Sequence, residues 1–266
     1  LVSFRERSMG NVEGCVMVFG TVVVIGVCML VVAALYSSVG HGGGSGYLAV
    51  MALFAVAPEV MRPSALVLNI VVASLAAWTF LRQGAFSWRT LWPLALTAVP
   101  MAFLGGQLSV PGVVYKPMLA AVLLWSAVSL LSPRAQPCDD PTLTPPVVPA
   151  LAAGAGLGLL SGLTGIGGGI FLSPLLLLAR WAPTRQASGV AAVFILLNSL
   201  AGLAGQAASV AAIPWRDLAV WVPLVVVGGV VGSRYGSRTA NTRNIYRLLG
   251  VVLSVAAVKM LLTLGG

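Results

Sequence analysis

Two glycine clusters are the residues in this chain best suited to chemistry. The first is Val39-Gly40-His41-Gly42-Gly43-Gly44-Ser45-Gly46-Tyr47, and the second is Leu163-Thr164-Gly165-Ile166-Gly167-Gly168-Gly169-Ile170-Phe171-Leu172-Ser173-Pro174. Three consecutive glycines cost a helix about 1 kcal/mol each relative to alanine. In an apolar chain such a break survives where it lines a cavity or is buried in protein. The amides of Gly42, Gly43, Gly44 and of Gly167, Gly168, Gly169 would then head a following half-helix. A helix start of that kind carries unpaired N–H donors and partial positive charge, which suits an anion. Without side chains the ligand can approach the backbone closely. The competing reading is that the glycines only let helices pack closely.

Other polar groups are scarce. His41 is the one histidine; it could hold an anion as imidazolium or carry a coupled proton. Its counterpart in the second cluster is Ile166, so a packed histidine is the alternative. Asn69 and Ser74 follow the first cluster, and Asn198 and Ser199 follow the second. Their amides and hydroxyls could complete an anion's shell without adding charge, or bond between helices. Thr164 is a further candidate, with Ser45, Ser161 and Ser173 behind it. Glu59, Asp139, Asp140 and Asp217 lie beside prolines or in loops, and Glu6 and Glu13 precede the first apolar run. A cation site built on carboxylates, a metal centre and a catalytic dyad are therefore not expected, and no cofactor is implied. Cys15, Cys28 and Cys138 form no CxxC pair and suit packing better than redox chemistry.

The elements that must position these residues follow from composition. Of 266 residues 59% are hydrophobic and 8% charged, with mean hydropathy +1.00. A soluble domain carries about 25% charge, so the chain is expected to be an all-α, polytopic integral membrane protein. A span needs about 20 apolar residues. Full-length candidates are 16–39, 64–82, 90–109, 116–132, 187–209, 217–234 and 244–264. Three runs, 46–57, 147–163 and 170–180, are too short to span comfortably alone. Residues 1–14 form a polar leading tail that we do not take for a signal peptide; Met9 or Met17 could be the natural start. The proline-rich segment 133–146 is the linker between a first repeat, 15–132, and a second, 147–266.

The halves match each other. A shift of 125 residues lays Gly40, Gly42, Gly43 and Gly44 on Gly165, Gly167, Gly168 and Gly169. It also pairs Ala57-Pro58 with Ala182-Pro183, and Ser74-Leu75-Ala76 with Ser199-Leu200-Ala201. A shift of 127 pairs Trp88-Arg89 with Trp215-Arg216, and Gly105 with Gly232. A duplicated membrane unit with glycine-broken half-helices is the usual plan of a secondary transporter. Inverted repeats with an outside N-terminus put nine Lys and Arg inside and four outside, leaving the leading tail aside; parallel repeats give eight and five. The positive-inside bias favours the inverted arrangement. Both place Arg180, Arg185, Arg234, Arg238, Arg243 and Arg247 in the cytoplasm, against anionic lipid or drawing anions to that mouth. The net charge of +9 is thus a matter of topology, and nucleic acid is not an expected partner.

The second cluster, with the run 157–183 around it, resembles the hallmark of the TauE/SafE sulfite exporter family, and 36–58 resembles its degenerate first copy. The likeness spans about 17–264. It implies seven or eight helices, no prosthetic group, and permease activity in the cell membrane toward sulfite, sulfonates such as sulfoacetate, or related oxyanions. His41 departs from the apolar residue commoner there. On this reading the substrate lies between the two clusters near the bilayer midplane, with alternating access. A passive anion channel, or a membrane scaffold in which the glycines only pack, are the alternatives. A homodimer is one assembly open to the chain.

Overall fold

The computed structural model describes residues 2–38, 41–131, 143–207, 213–236, 250–251 and 253–258. Every regular element among them is a helix. In chain order they are α1 (Val2–Ser38), α2 (Gly44–Leu53), α3 (Pro58–Arg82), α4 (Trp88–Gln107), α5 (Gly112–Leu131), α6 (Val147–Thr164), α7 (Gly169–Leu178), α8 (Thr184–Gly205) and α9 (Trp215–Gly236). Residues 250–251 and 253–258 are helical too. Among the described residues, six helices are long and apolar enough to cross a membrane: α1 over Gly20–Ser38, α3, α5 over Gly112–Ser129, α6, α8 over Arg185–Gly205, and α9 over Trp215–Arg234.

Residues 2–14 are helical and continuous with the rest of α1. The spans differ from expectation in two places. The run 90–109 forms the 20-residue α4, which is not among the six. The run 147–163 becomes the 18-residue α6, one of the six span-length helices; its glycines lower apparent apolarity but pack tightly, as small residues do in membranes. By contrast, α2 and α7 are 10 residues each and begin at the glycine clusters. Most of the linker, with Cys138, Arg238, Arg243, Arg247 and Lys259, lies outside the described residues.

Local chemistry sets the ends. Pro58 opens α3 at a position where its missing N–H costs nothing, and the Ser87 hydroxyl caps α4 by accepting from the Thr90 amide at 3.3 Å. The surface is apolar: Val27, Val31, Leu96, Phe103, Leu124, Val128, Val227 and Val231 are exposed. With an apolar exterior, apolar burial gives a helix no preference for a neighbour over lipid, so close backbone approach and interhelical hydrogen bonds hold the pairs together.

Two pairs show this approach. On α6, Gly154, Gly158 and Gly162 abut Leu94, Ala98 and Ala102 of α4, and the Thr97 hydroxyl donates to the Leu151 carbonyl at 2.7 Å. On α9, Gly228 and Gly232 abut Leu30 and Ala34 of α1, and the Trp221 indole donates to the Val22 carbonyl at 3.0 Å. Both pairs run parallel, since later residues meet later residues. Between them α3 and α8 cross antiparallel: Gly189 lies at Phe80 and Ala85, Ile195 and Asn69 share Gly42, and Gly202 meets Leu66. Helix α2 folds back on α1. Its Gly46 packs on Val32 and Tyr36, and Val50 and Leu53 share a groove with Val27, Cys28 and Val31.

Candidate functional site

Each glycine cluster is a chain reversal. Gly43 at the head of α2 has φ 97°, and Gly168 at the head of α7 has φ 80°, a left-handed backbone that L side chains avoid. The two breaks meet each other against the midlengths of α3 and α8. A Cβ on Gly44 would overlap the Ile166 carbonyl oxygen and the Asn69 amide nitrogen. One on Gly167 would lie 2.8 Å from the Ser199 hydroxyl, and one on Gly42 3.0 Å from Ile195. Asn69 is fully buried and donates through Nδ2 to the Ile166 carbonyl at 2.8 Å. It therefore links α3 to the second break while touching the first.

Hydrogen-bonding capacity around this meeting point is left over. Asn69 Oδ1 and the hydroxyls of Ser199, Ser161 and Tyr47, all against the cluster glycines, are buried without a partner among the described residues. So are the Ser173 hydroxyl and both side-chain amide atoms of Asn198, the neighbour of Ser199 on α8. Cores leave few such groups, because an unpaired buried polar atom costs about 1–3 kcal/mol. The first N–H groups of α2 and α7 add unsatisfied donors at the same place. His41 is buried beside the first break; its amide donates to the Tyr36 carbonyl at 2.9 Å, and its ring stands edge-on to Tyr36 with centroids 6.4 Å apart. The Tyr36 and Ser45 hydroxyls are 2.8 Å apart.

Between the breaks the open space is about 10 Å³, bounded by Tyr36, His41, Gly42, Ile166, Gly169 and Ile195 among others. That is room for about one water. The structure is thus closed at the breaks.

The residues picked from sequence divide accordingly. His41, Gly42, Gly43, Gly44, Asn69, Gly167, Gly168, Gly169 and Ser199 converge. Asn198 is buried beside Ser199 on α8. Thr164 is buried at the end of α6, where its hydroxyl donates to the Leu160 carbonyl at 2.6 Å and its own carbonyl accepts from Tyr115 at 2.8 Å. Ser74 does not join them. It is exposed on α3 and bonds its own helix at the Ile70 carbonyl, 2.6 Å away, because it lies five residues from Asn69 and so on another face. Trp221, although it lies in the second turn of the span-length α9, is 2% exposed.

Arg62 escaped the sequence reading, since a basic residue near a span end suggests a side chain reaching for the interface. It is buried instead, at the floor of a vestibule of about 540 Å³ lined also by Pro58, Glu59, Gln107, Ser109 and Gln206. Its Nη1 donates to the Leu108 carbonyl at 3.3 Å, and its Nη2 to the Gly105 and Gly162 carbonyls at 3.4 and 3.1 Å. The guanidinium lies over the Tyr115 ring, 5.7 Å from its centroid. One signal could have found it: the 125-residue shift sets Ala187 opposite Arg62. Among the described residues no group of three or more His, Cys, Asp or Glu is placed to hold a metal.

The family described as sulfite exporter TauE/SafE matches residues 25–260. A probable membrane transporter protein of Sinorhizobium fredii is 38% identical over 241 residues, covering 89% of this chain and 97% of the relative. No solved structure matches.

Proposed function

The chain belongs to the sulfite exporter TauE/SafE family and is a multi-pass membrane transporter; from that premise we propose that it is a secondary transporter of a small sulfur-containing anion, sulfite or an organosulfonate. The anion binds near the bilayer midplane between the two glycine breaks. The observation that carries this reading is the meeting of the breaks across Asn69, with unpartnered hydrogen-bonding atoms on Asn69 and Ser199, those of Asn198 next to Ser199 on α8, and no carboxylate among the described residues that line the space between the breaks. Amides and hydroxyls can replace an oxyanion's hydration shell, and half-helix N-termini supply the positive potential.

A space of about 10 Å³ cannot hold such an anion, so the breaks must part for binding. Alternating access supplies that motion, with one repeat moving against the other. Inverted repeats are supported by the helix directions: α3 and its counterpart α8 run antiparallel, and the parallel pairs α1–α9 and α6–α4 exchange under the repeat shift. The face where α3 ends and α8 begins is joined by the Arg185 guanidinium donating to Gln83 at 3.2 Å. Arg82, Arg89, Arg180, Arg185 and Arg234 gather there, against Arg62, Lys116 and Arg216 at the other face. The positive-inside bias makes it cytoplasmic, and the vestibule over Arg62 opens outward. The vestibule leading to a closed site favours a gated carrier over a passive channel.

The test is a thermal-stability screen of purified protein. Sulfite or sulfoacetate raises the unfolding midpoint while chloride at equal ionic strength does not. No shift with any sulfur oxyanion would leave the glycines as packing devices only.

A further inference from the structure

We propose that Arg62 and Gln206 form an outer docking site for the substrate oxyanion on the vestibule floor, separate from the glycine breaks. The proposal rests on the transport reading and extends it to where the anion meets the protein at the vestibule. Two donors there are buried and unpartnered among the described residues: Arg62 Nε and Gln206 Nε2. Arg62 is 9% exposed and Gln206 4% exposed, yet both line the open vestibule.

The charge of Arg62 is incompletely answered. Glu59 lines the same space one turn earlier on α3. The guanidinium meets three carbonyls, at the C-terminal ends of α4 and α6 and just past α4, at 3.1 to 3.4 Å. These are long hydrogen bonds, and carbonyl dipoles only partly offset a full charge removed from water. An oxyanion would supply the missing charge; the buried Nε and the Gln206 amide would turn toward the vestibule to reach its oxygens.

The location suits a relay. A Cβ on Gly165 would lie 3.1 Å from the Arg62 carbonyl, so the docking residue adjoins the second break. The 125-residue shift sets Ala187 opposite Arg62, so the arginine is particular to the first repeat.

Calorimetric titration with sodium sulfite, in detergent without phospholipid, tests this alongside uptake kinetics in proteoliposomes. Arg62→Gln is expected to weaken sulfite binding about tenfold or more, the usual size of one charge-assisted contact, and to raise KM more than it lowers kcat. Arg62→Lys recovers part of the affinity through its charge. Gln206→Leu leaves the three carbonyl bonds of Arg62 in place, so its unfolding midpoint stays near wild type while affinity falls severalfold. If Arg62→Gln and Gln206→Leu, both folded, bind sulfite as wild type does, the docking site is overturned and the glycine-break site stands. If Asn198→Leu leaves flux unchanged while Arg62→Gln raises KM, the docking site stands and the break site falls. Binding of phosphatidylglycerol at Arg62 with none of sulfite would make the vestibule a lipid site and overturn the proposal.

Discussion

Gly44→Ala separates the two roles a glycine break can have. Gly44 is the first residue of α2 and has helical backbone, so alanine alone would favour the helix by about 1 kcal/mol. The added methyl would overlap the Ile166 carbonyl oxygen and the Asn69 amide nitrogen, both buried. Ordinary contact requires the breaks to part by about 1 Å, and overpacking of this kind costs about 1–3 kcal/mol. The Asn69–Ile166 hydrogen bond stretches with them, a loss of about 1 kcal/mol. The net destabilisation is therefore about 1–3 kcal/mol, concentrated where the anion binds, and flux falls at least tenfold. Gly156→Ala is the control. Gly156 lies on exposed α6 surface with nothing within 4 Å of a built Cβ, so it keeps the helix gain and loses nothing. Unfolding midpoints in detergent and sulfite flux in proteoliposomes read both variants. Equal midpoints for the two, with wild-type flux in Gly44→Ala, would refute the close meeting of the breaks.

Three further outcomes follow from the same geometry. Asn198→Leu removes two unpartnered buried amide atoms, so thermal stability holds or rises by about 1 kcal/mol while sulfite flux is lost; a stability loss with normal flux would assign Asn198 to structure alone. His41→Gln keeps a polar side chain beside the first break, and the pH profile of transport flattens if the imidazole carries a coupled proton; an unchanged profile removes that role. Gly158→Ala drives a methyl into Ala98 on α4 and lowers the unfolding midpoint by an amount corresponding to about 1–3 kcal/mol, with KM for sulfite nearly unchanged because the pair lies away from the breaks.

The breaks themselves were legible because three glycines in an apolar run have few other uses, and α2 and α7 begin at Gly44 and Gly169 as that composition implies. Helix faces were not. Lipid and protein interior are equally apolar to a hydropathy count, so nothing in the sequence told exposed Ser74 from buried Asn69, or buried Trp221 from exposed Trp215. The small-residue stripe Gly154, Gly158, Gly162 hid a span-length helix for a related reason: glycine dilutes hydropathy where packing needs it most. Arg62 was missed because its partners, carbonyls of Gly105, Leu108 and Gly162, have no side-chain signature. Comparing the repeats for asymmetry finds it, as it finds His41 against Ile166.

Counterflow of labelled sulfite in proteoliposomes tests the central claim most directly. Vesicles preloaded with unlabelled sulfite should take up external label transiently above equilibrium, saturably, and Gly44→Ala and Asn198→Leu should abolish the overshoot. Uptake that rises linearly with concentration and shows no overshoot would contradict a carrier with a single gated site at the glycine breaks.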